Sequence, residues 1–510
     1  MKNSNQQTEG VIDKPVLIIS GGILLLFVIL ALINQDMVSD GVDYFFDLSA
    51  TYFGPIYQVL LLGTFIIALV LGYSKFGKIR LGNVDKPEMS TFRWISIIMC
   101  TLLAAGGVFW AAAEPLSHFL TAPPHFDVES GTAEAVAPAL ATSFVDWGFL
   151  AWVSLGTLGT FVLMYAHYHR GQPLKPRALL YPIVGEKIMR KKSVFGAIVD
   201  IFSIISVAAG TIGPVGFLGL QAGYALMDLF GLPNTLTVQI AIIAVLVVAA
   251  GVSAATGIHK GIQLMSRYNV ILSIILVAAI VVLGPTMFIF DSFLESFGVY
   301  VQDFVEMTTQ RSDLAWLGGW MVFFFAWFIG YGPMMAMFVS RISRGRTVRE
   351  LVTAVAVVAP VITTFWFTII GGTGISEELK NPGSVSGPFN DGGQPAAMMA
   401  IAQNLPLGTI IGFLLLVATV VFVLTTTDSM SLTISMAITG NGSPSRWLRV
   451  FWAFLIGLVA VVLVSLGEDS IDSLQSFIVV TAVPVSLLLL TTFWTAPHVV
   501  KKLYKEQGFE

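Results

Sequence analysis

WLGGWMVFFFAWFIGYGPMMAMFVSRISRGRTVRE, residues 316–350, is the stretch from which the rest of the chain is read. It is apolar, dense in aromatic rings and long enough to span a bilayer, yet Gly330, Gly332 and Pro333 stand in its middle. A glycine costs about 1 kcal/mol and a proline about 3 kcal/mol in a helix interior. A span interrupted in this way exposes backbone groups that lipid cannot satisfy, so they must face protein or a cavity. Aromatic side chains flank the interruption (Trp320, Phe323, Phe324, Phe325, Trp327, Phe328, Tyr331), and the basic turn Arg341, Arg344, Arg346 and Arg349 follows it. The expectation is a broken helix that lines a cation-binding cavity and ends in the cytoplasm.

Composition supports a membrane setting. Of 510 residues, 55% are hydrophobic and 11% charged, with a mean hydropathy of +0.82, whereas a soluble domain has about 25% charged residues. The net charge of -4 gives no reason to expect a nucleic-acid partner, because in a membrane protein the position of the basic residues matters more than their sum. The single cysteine, Cys100, excludes an internal disulfide and a cysteine-rich metal site. The first apolar run lacks a small-residue cleavage site and reads as a first span, not a signal peptide.

Twelve apolar segments of spanning length are predicted, near residues 15–34, 52–73, 94–117, 138–165, 194–227, 235–257, 266–290, 315–339, 350–374, 398–437, 447–466 and 474–499. The fifth and tenth are overlong, so each is expected to bend or to carry a surface extension. If both termini are cytoplasmic, every Lys and Arg except Arg311 and Lys380 falls inside, while outer loops hold Asp36, Asp40, Asp43 and Asp47, and Glu468, Asp469 and Asp472. That asymmetry sets the expected topology. Residues 291–313 are too polar to span, but Phe293, Phe297, Tyr300, Val301, Phe304 and Val305 recur at helical spacing, which predicts an amphipathic helix along the outer surface. The expected organisation is a cytoplasmic N-terminus with two accessory spans (1–91), a first repeat (92–290), the outer helix (291–313), a second repeat (314–500) and a short tail (501–510).

Spans three to seven and eight to twelve each make an odd number, so the two halves enter the membrane from opposite sides. Span three carries Ala104, Ala105, Gly106 and Gly107 where span eight carries Gly330, Gly332 and Pro333. Matched interruptions in two inverted halves point to a secondary transporter with its substrate site at the midplane; close helix packing by small residues is the plainer alternative.

Four acidic residues fall within spans: Glu114, Asp146, Asp200 and Asp428. Each implies a cavity, a partner or a role. For Glu114 and Asp200 a structural hydrogen bond is favoured, and Asp428 can tie neighbouring helices. Asp146 stands beside Trp147 and near Trp152, which places an anionic group and two large π-faces in one neighbourhood. A cage of aromatic rings holds methylated ammonium groups, which lack enough donors to be held by hydrogen bonds. Trp94, Trp316, Trp447 and Trp494 fit an interfacial belt instead. Trp147, Trp152, Trp327 and Tyr331 lie inside spans four and eight, and Trp110 is intermediate.

These residues carry a family resemblance. The SRISRGRTVRE run after AWFIGYGP, the KFGKIRLG turn at 75–82, the AEPLSH of 113–118 and the DWG of 146–148 resemble the betaine/choline/carnitine transporter family over nearly the whole chain. The resemblance implies an all-α integral membrane protein of twelve transmembrane helices, with LeuT-type inverted five-helix repeats after two N-terminal helices, assembled as a homotrimer through the outer helix. It also implies a substrate box at Trp147, Trp152 and Leu155 of span four and Trp327, Phe328 and Tyr331 of span eight. Leu155 replaces an aromatic residue, Phe328 and Tyr331 stand where Trp is common, and Asp146 replaces a common His. A family sodium site would fall on Ala105, Phe422, Thr425 and Thr426, although Leu102 and Ala104 thin the glycine stretch beside it. Hydroxyls and carbonyls suit a hard cation, while Asp146 or Glu114 can carry a proton instead. Sodium and proton coupling, symport and antiport, thus remain open; no other cofactor is expected.

An intramembrane enzyme needs a nucleophile or metal cluster, and the spans show no His-rich or paired-carboxylate motif. A channel needs polar rings repeated along a pore, and an osmosensor is expected to carry a long charged tail, whereas this chain ends soon after span twelve. A transporter of a small methylated amine remains, in contact with membrane lipid. With Asp146 repelling a substrate carboxylate, a cation such as choline or trimethylamine is expected over a zwitterion such as glycine betaine or carnitine.

Overall fold

The computed structural model describes residues 12–103, 107–256, 259–440, 444–466 and 470–509, with side chains at 12–99, 107–255, 268–440, 444–466 and 471–509. Lys2, Ala104, Ala105, Gly106, Glu468 and Asp469, and the side chains of Lys260 and Arg267, lie outside these limits.

Among the described residues every named element is helical, as expected where lipid forces the backbone to satisfy itself. Ten helices are long and apolar enough to cross a membrane, or eleven with the bent pair Tyr268–Leu283 and Thr286–Gln302 taken as one span. Span three is divided into Thr91–Leu103 and Trp110–Leu120, each too short to cross alone. The acidic segment expected as an outer loop is instead the first part of a 39-residue helix, Gln35–Tyr73, capped by Asn34. Span five is one unbroken helix, Val194–Phe230. The overlong tenth segment resolves into a short helix, Ala397–Gln403, and the span Gly408–Thr439, separated by a turn at Leu407 with φ 64°.

Two expected boundaries shift for identifiable reasons. Span seven does not run to residue 290: the chain bends by 104° where Gly284 and Pro285 end it, and the outer helix begins at Thr286. Tyr300 of that helix is buried and Val301 faces outward, as does Val305 of the short helix Phe304–Thr309 that follows. In span eight the helix Phe323–Ile342 continues through Gly330, Gly332 and Pro333, so the expected break is absent there. The irregular turn lies earlier, a π-helical stretch at Gly318–Val322. Pro333 removes one backbone bond, a local loss that a helix buried by its neighbours tolerates. The two glycines serve contact instead: a Cβ on Gly330 would come 2.5 Å from Ser206 Oγ, and one on Gly332 2.6 Å from Leu489 Cδ1. At these two positions the close-packing alternative holds.

Span four carries the interruptions that were not expected. It runs as Val136–Trp147, Phe149–Gly156 and Leu158–Met164, with Gly148 and Thr157 between the pieces, and closes in a π-helical turn at Tyr165–His169. Spans five and ten pack together, as do six and eleven; span eight lies on span four, and span nine on span three. This contact pattern maps onto itself when spans three to seven are exchanged with eight to twelve.

At one end of the molecule the two basic motifs interlock. Leu81 N–H donates to the Arg346 carbonyl (2.8 Å), Val348 N–H to Ile79 (2.9 Å) and Gly345 N–H to Leu81 (2.8 Å). Gly345 has φ +83°, and a Cβ there would lie 2.1 Å from the Lys86 carbonyl oxygen, so only glycine fits. The Arg346 guanidinium stacks 4.5 Å over the Trp94 ring, Arg344 pairs with Glu88 (2.8 Å) and Arg349 donates to the Gly72 carbonyl (3.1 Å). Thr347 and Glu350 form a reciprocal cap on span nine.

Candidate functional site

The site is built where span four, broken at Gly148, crosses the aromatic face of span eight. Trp147 is the last residue before the break, and its ring meets Trp327 at 5.8 Å and Phe328 at 5.3 Å, both edge-on, with Phe324 and Phe367 also at 5.3 Å. Trp327 and Phe328 lie nearly parallel, 8° apart in plane at 6.2 Å. Trp110 joins the same mass through Phe324 at 5.0 Å and Trp320 at 6.2 Å. All of these rings except Trp320 are buried. The rings touch one another, so an ammonium group held between them requires Trp147 to separate from span eight.

Two donors of the cluster share one acceptor. Trp327 Nε1–H and the Tyr331 hydroxyl each donate 3.0 Å to the Gly210 carbonyl of span five, and Tyr331 also lies 3.2 Å from Thr211 Oγ1. A Cβ on Gly210 would come 2.7 Å from the Tyr331 ring and 3.2 Å from the Trp327 ring. Sequence reading missed Gly210. The signal it offered, a glycine within Ala-Ala-Gly-Thr inside a long span, is common to many packing positions.

Trp152 does not join the cluster. It donates to Thr363 Oγ1 of span nine (2.9 Å) and, among the described residues, makes no ring contact. The interruption at Gly148 separates it from the turn that carries Trp147. Leu155 is buried in the same piece.

The acidic residues divide by partner. Asp200 accepts from the Arg177 backbone (2.8 Å) and side chain (2.7 Å), and Asp428 pairs with Arg449 (2.6 Å), tying spans ten and eleven. Glu114 accepts from Trp147 Nε1–H (2.7 Å) and lies 3.8 Å from His118 Nε2. Asp146 faces the same pair: one ligand atom from each of Glu114, His118 and Asp146 lies within 4.8 Å of the others, and all three residues are buried. Asp146 is therefore not a lone charge beside the rings. The carboxyl in direct contact with the cage is Glu114, at the indole edge of Trp147, and Asp146 stands with it. The sequence showed no paired carboxylate because the two sit on different spans.

Of the break residues in span three, Gly107 is buried in the turn before Trp110. Gly106 lies outside the described residues, as does Ala105 of the sodium set. Phe422, Thr425 and Thr426 follow at i, i+3 and i+4 on one face of span ten. Thr425 Oγ1 donates to Val421 and Phe422 carbonyls (2.8 and 3.2 Å), while Thr426 Oγ1 is buried without a partner among the described residues. That orphaned hydroxyl and the neighbouring oxygens fit a small hard cation.

Above the rings, Ser117, His118, Trp316, Trp320, Ser386 and Gln394 help line a cavity of about 790 Å³. It opens at the end of the molecule opposite the interlocked basic motifs.

Residues 15–506 match the family model described as BCCT, betaine/carnitine/choline family transporter. Glycine betaine transporter 2 of Vibrio parahaemolyticus is 49% identical over 98% of this chain and 92% of its own length. A probable glycine betaine transporter of Desulfitobacterium hafniense is 32% identical over 93% of this chain and 95% of that one. Among solved structures, a substrate-bound, outward-open Na+-coupled sialic acid symporter gives a TM-score of 0.42 at 16% identity, covering 86% and 87% of the two chains, a likeness too slight to weigh. On the family match across nearly its full length, this chain belongs to the betaine/carnitine/choline family of secondary transporters.

Proposed function

We propose that this transporter moves a zwitterionic methylated ammonium compound of the glycine betaine type by alternating access, with the ammonium group held by Trp147, Trp327 and Phe328. The observation that carries the reading is the buried ring cluster at the junction of spans four and eight. Each cation–π contact contributes about 0.5 to 2 kcal/mol when desolvated. One feature favours a zwitterion over the cation expected from the sequence. The half-helix Trp110–Leu120 begins beside the cluster, and the N-terminus of a broken span favours an anionic substrate group. The names of the relatives agree with this substrate class.

Phe422, Thr425 and Thr426, with Ala105, would hold sodium if sodium drives transport. Both termini lie in the cytoplasm of a bacterial inner-membrane protein in this reading. The outward Met287, Leu294 and Val301 of the outer helix, with Val305 just after it, would give a homotrimer its contact surface. Uptake of labelled glycine betaine into proteoliposomes, with choline, carnitine and trimethylamine as competitors, tests the substrate assignment. Glycine betaine should compete best; choline or trimethylamine competing better would restore the cation reading.

A further inference from the structure

Glu114, His118 and Asp146 have no basic partner other than one another among the described residues. Both Asp146 carboxyl oxygens, Glu114 Oε1 and His118 Nε2 are buried without a hydrogen bond that meets normal geometry. Two negative charges this close in an apolar interior repel strongly and have lost their water. One end of the group reaches outward, since His118 lines the 790 Å³ cavity. The other reaches the substrate box, since Glu114 holds the Trp147 indole N–H at 2.7 Å.

We propose that Glu114, Asp146 and His118 form a proton-binding site, loaded from the outer cavity through His118, whose occupancy is linked to the ring cluster through Trp147. Cavity water protonates the His118 ring, and the ring gives its Nε2 proton to Glu114 Oε1, where an O–H bond forms, the imidazole returns to neutral and the pair keeps a single negative charge shared with Asp146. The inference rests on the transporter reading above and names its coupling ion. When the site turns to the other side the proton leaves to water there, and the doubly charged pair that remains takes up the next proton readily, because its two charges repel. Loading and substrate binding are thereby linked through one side chain, Trp147, as reciprocal coupling requires.

On the outer helix Tyr300 is buried near Asp146, and its hydroxyl accepts from Phe149 N–H (2.9 Å). Asp291 and Glu295 of that helix, Glu306 after it and Glu134 before span four are exposed. Residues 314–330 of span eight and 359–372 of span nine contain no titratable side chain.

The test uses the full chain in sodium-free proteoliposomes loaded with a pH-sensitive dye. Adding glycine betaine outside should acidify the lumen, and an inward gradient of one pH unit, coupled to one proton, should drive about tenfold accumulation. Glu114→Gln and Asp146→Asn should abolish the acidification, and His118→Gln should slow it about tenfold and shift its pH profile, while tryptophan fluorescence reports substrate binding in each. Should Glu114→Gln fail to fold, Glu114→Asp keeps a carboxyl and should retain acidification. Uptake driven by sodium alone with no acidification overturns the proton site and leaves the transporter reading standing. Acidification that survives all three substitutions, or transport stopped by a chelator without proton movement, also overturns it. No uptake of any methylated amine under either gradient overturns both readings.

Discussion

Trp147 gives its ring to the cluster and its N–H to Glu114, so two substitutions separate the roles. Trp147→Phe keeps a π-face but leaves a buried carboxyl oxygen unpaired, a cost of about 1 to 3 kcal/mol in stability, and exchanges the best cation–π ring for a weaker one, so affinity for glycine betaine should fall as well. Trp152→Phe should leave the dissociation constant for glycine betaine within about twofold, because its N–H serves Thr363, which is itself bonded to Ala359. Equal losses in the two variants, measured by fluorescence titration, would place Trp152 in the box after all. Gly210→Ala sets a methyl 2.7 Å from the Tyr331 ring and should weaken binding at least about tenfold with insertion intact. The rings of the cluster were legible in the sequence as aromatic residues placed inside spans four and eight, away from the interfacial belts. The Glu114 to Trp147 bond and the place of Gly210 were not, since each is a meeting of two spans that no local pattern records.

Among elements, span four proved more irregular than span eight, although span eight holds the glycines and the proline. Propensity describes an isolated helix, and Pro333 sits in one buried on every side, where packing outweighs one missing hydrogen bond. Gly148 interrupts span four where a Cβ would lie 2.4 Å from the Phe144 carbonyl oxygen and 2.7 Å from Tyr300 Oη. The Phe149 N–H, orphaned at the start of the next piece, is satisfied by that same tyrosine hydroxyl. Tyr300→Phe removes the acceptor and should cost about 1 to 3 kcal/mol, read as a fall of several degrees in Tm in detergent. An unchanged Tm would mean that water takes the tyrosine's place. The outer helix was legible as amphipathic: Phe293, Phe297 and Tyr300 pack inward, while Val301, next along the helix, is turned about 100° away and points out.

For the whole molecule, the long apolar segments and the distribution of basic residues made the architecture readable, since span length is fixed by bilayer thickness and basic side chains avoid crossing it. The structure gathers those basic residues at one end. Arg170 pairs with Glu506 of the C-terminal helix, Gln507 Nε2 donates to the Arg80 carbonyl (2.7 Å), and Lys175 and Arg177 both reach Asp13 (3.1 Å). The segment before span one is thus clamped to the loop after span four, and the C-terminal helix to that loop and to the 75–82 turn, while the cavity above the rings opens at the opposite end. Orientation across the bilayer follows from which end meets the cytoplasm, and Cys100, being the sole cysteine, makes the question accessible. In a Cys100→Ser background, Asn390→Cys on the exposed cavity wall should react with a membrane-impermeant maleimide added to intact cells. Asp85→Cys, exposed beside the basic interlock, should react only after the cells are broken. The reverse pattern would invert the topology and with it the side from which His118 receives its proton. Glycine betaine should slow labelling at Asn390→Cys if binding closes the cavity, and a rate independent of substrate would place the closing motion elsewhere in the molecule.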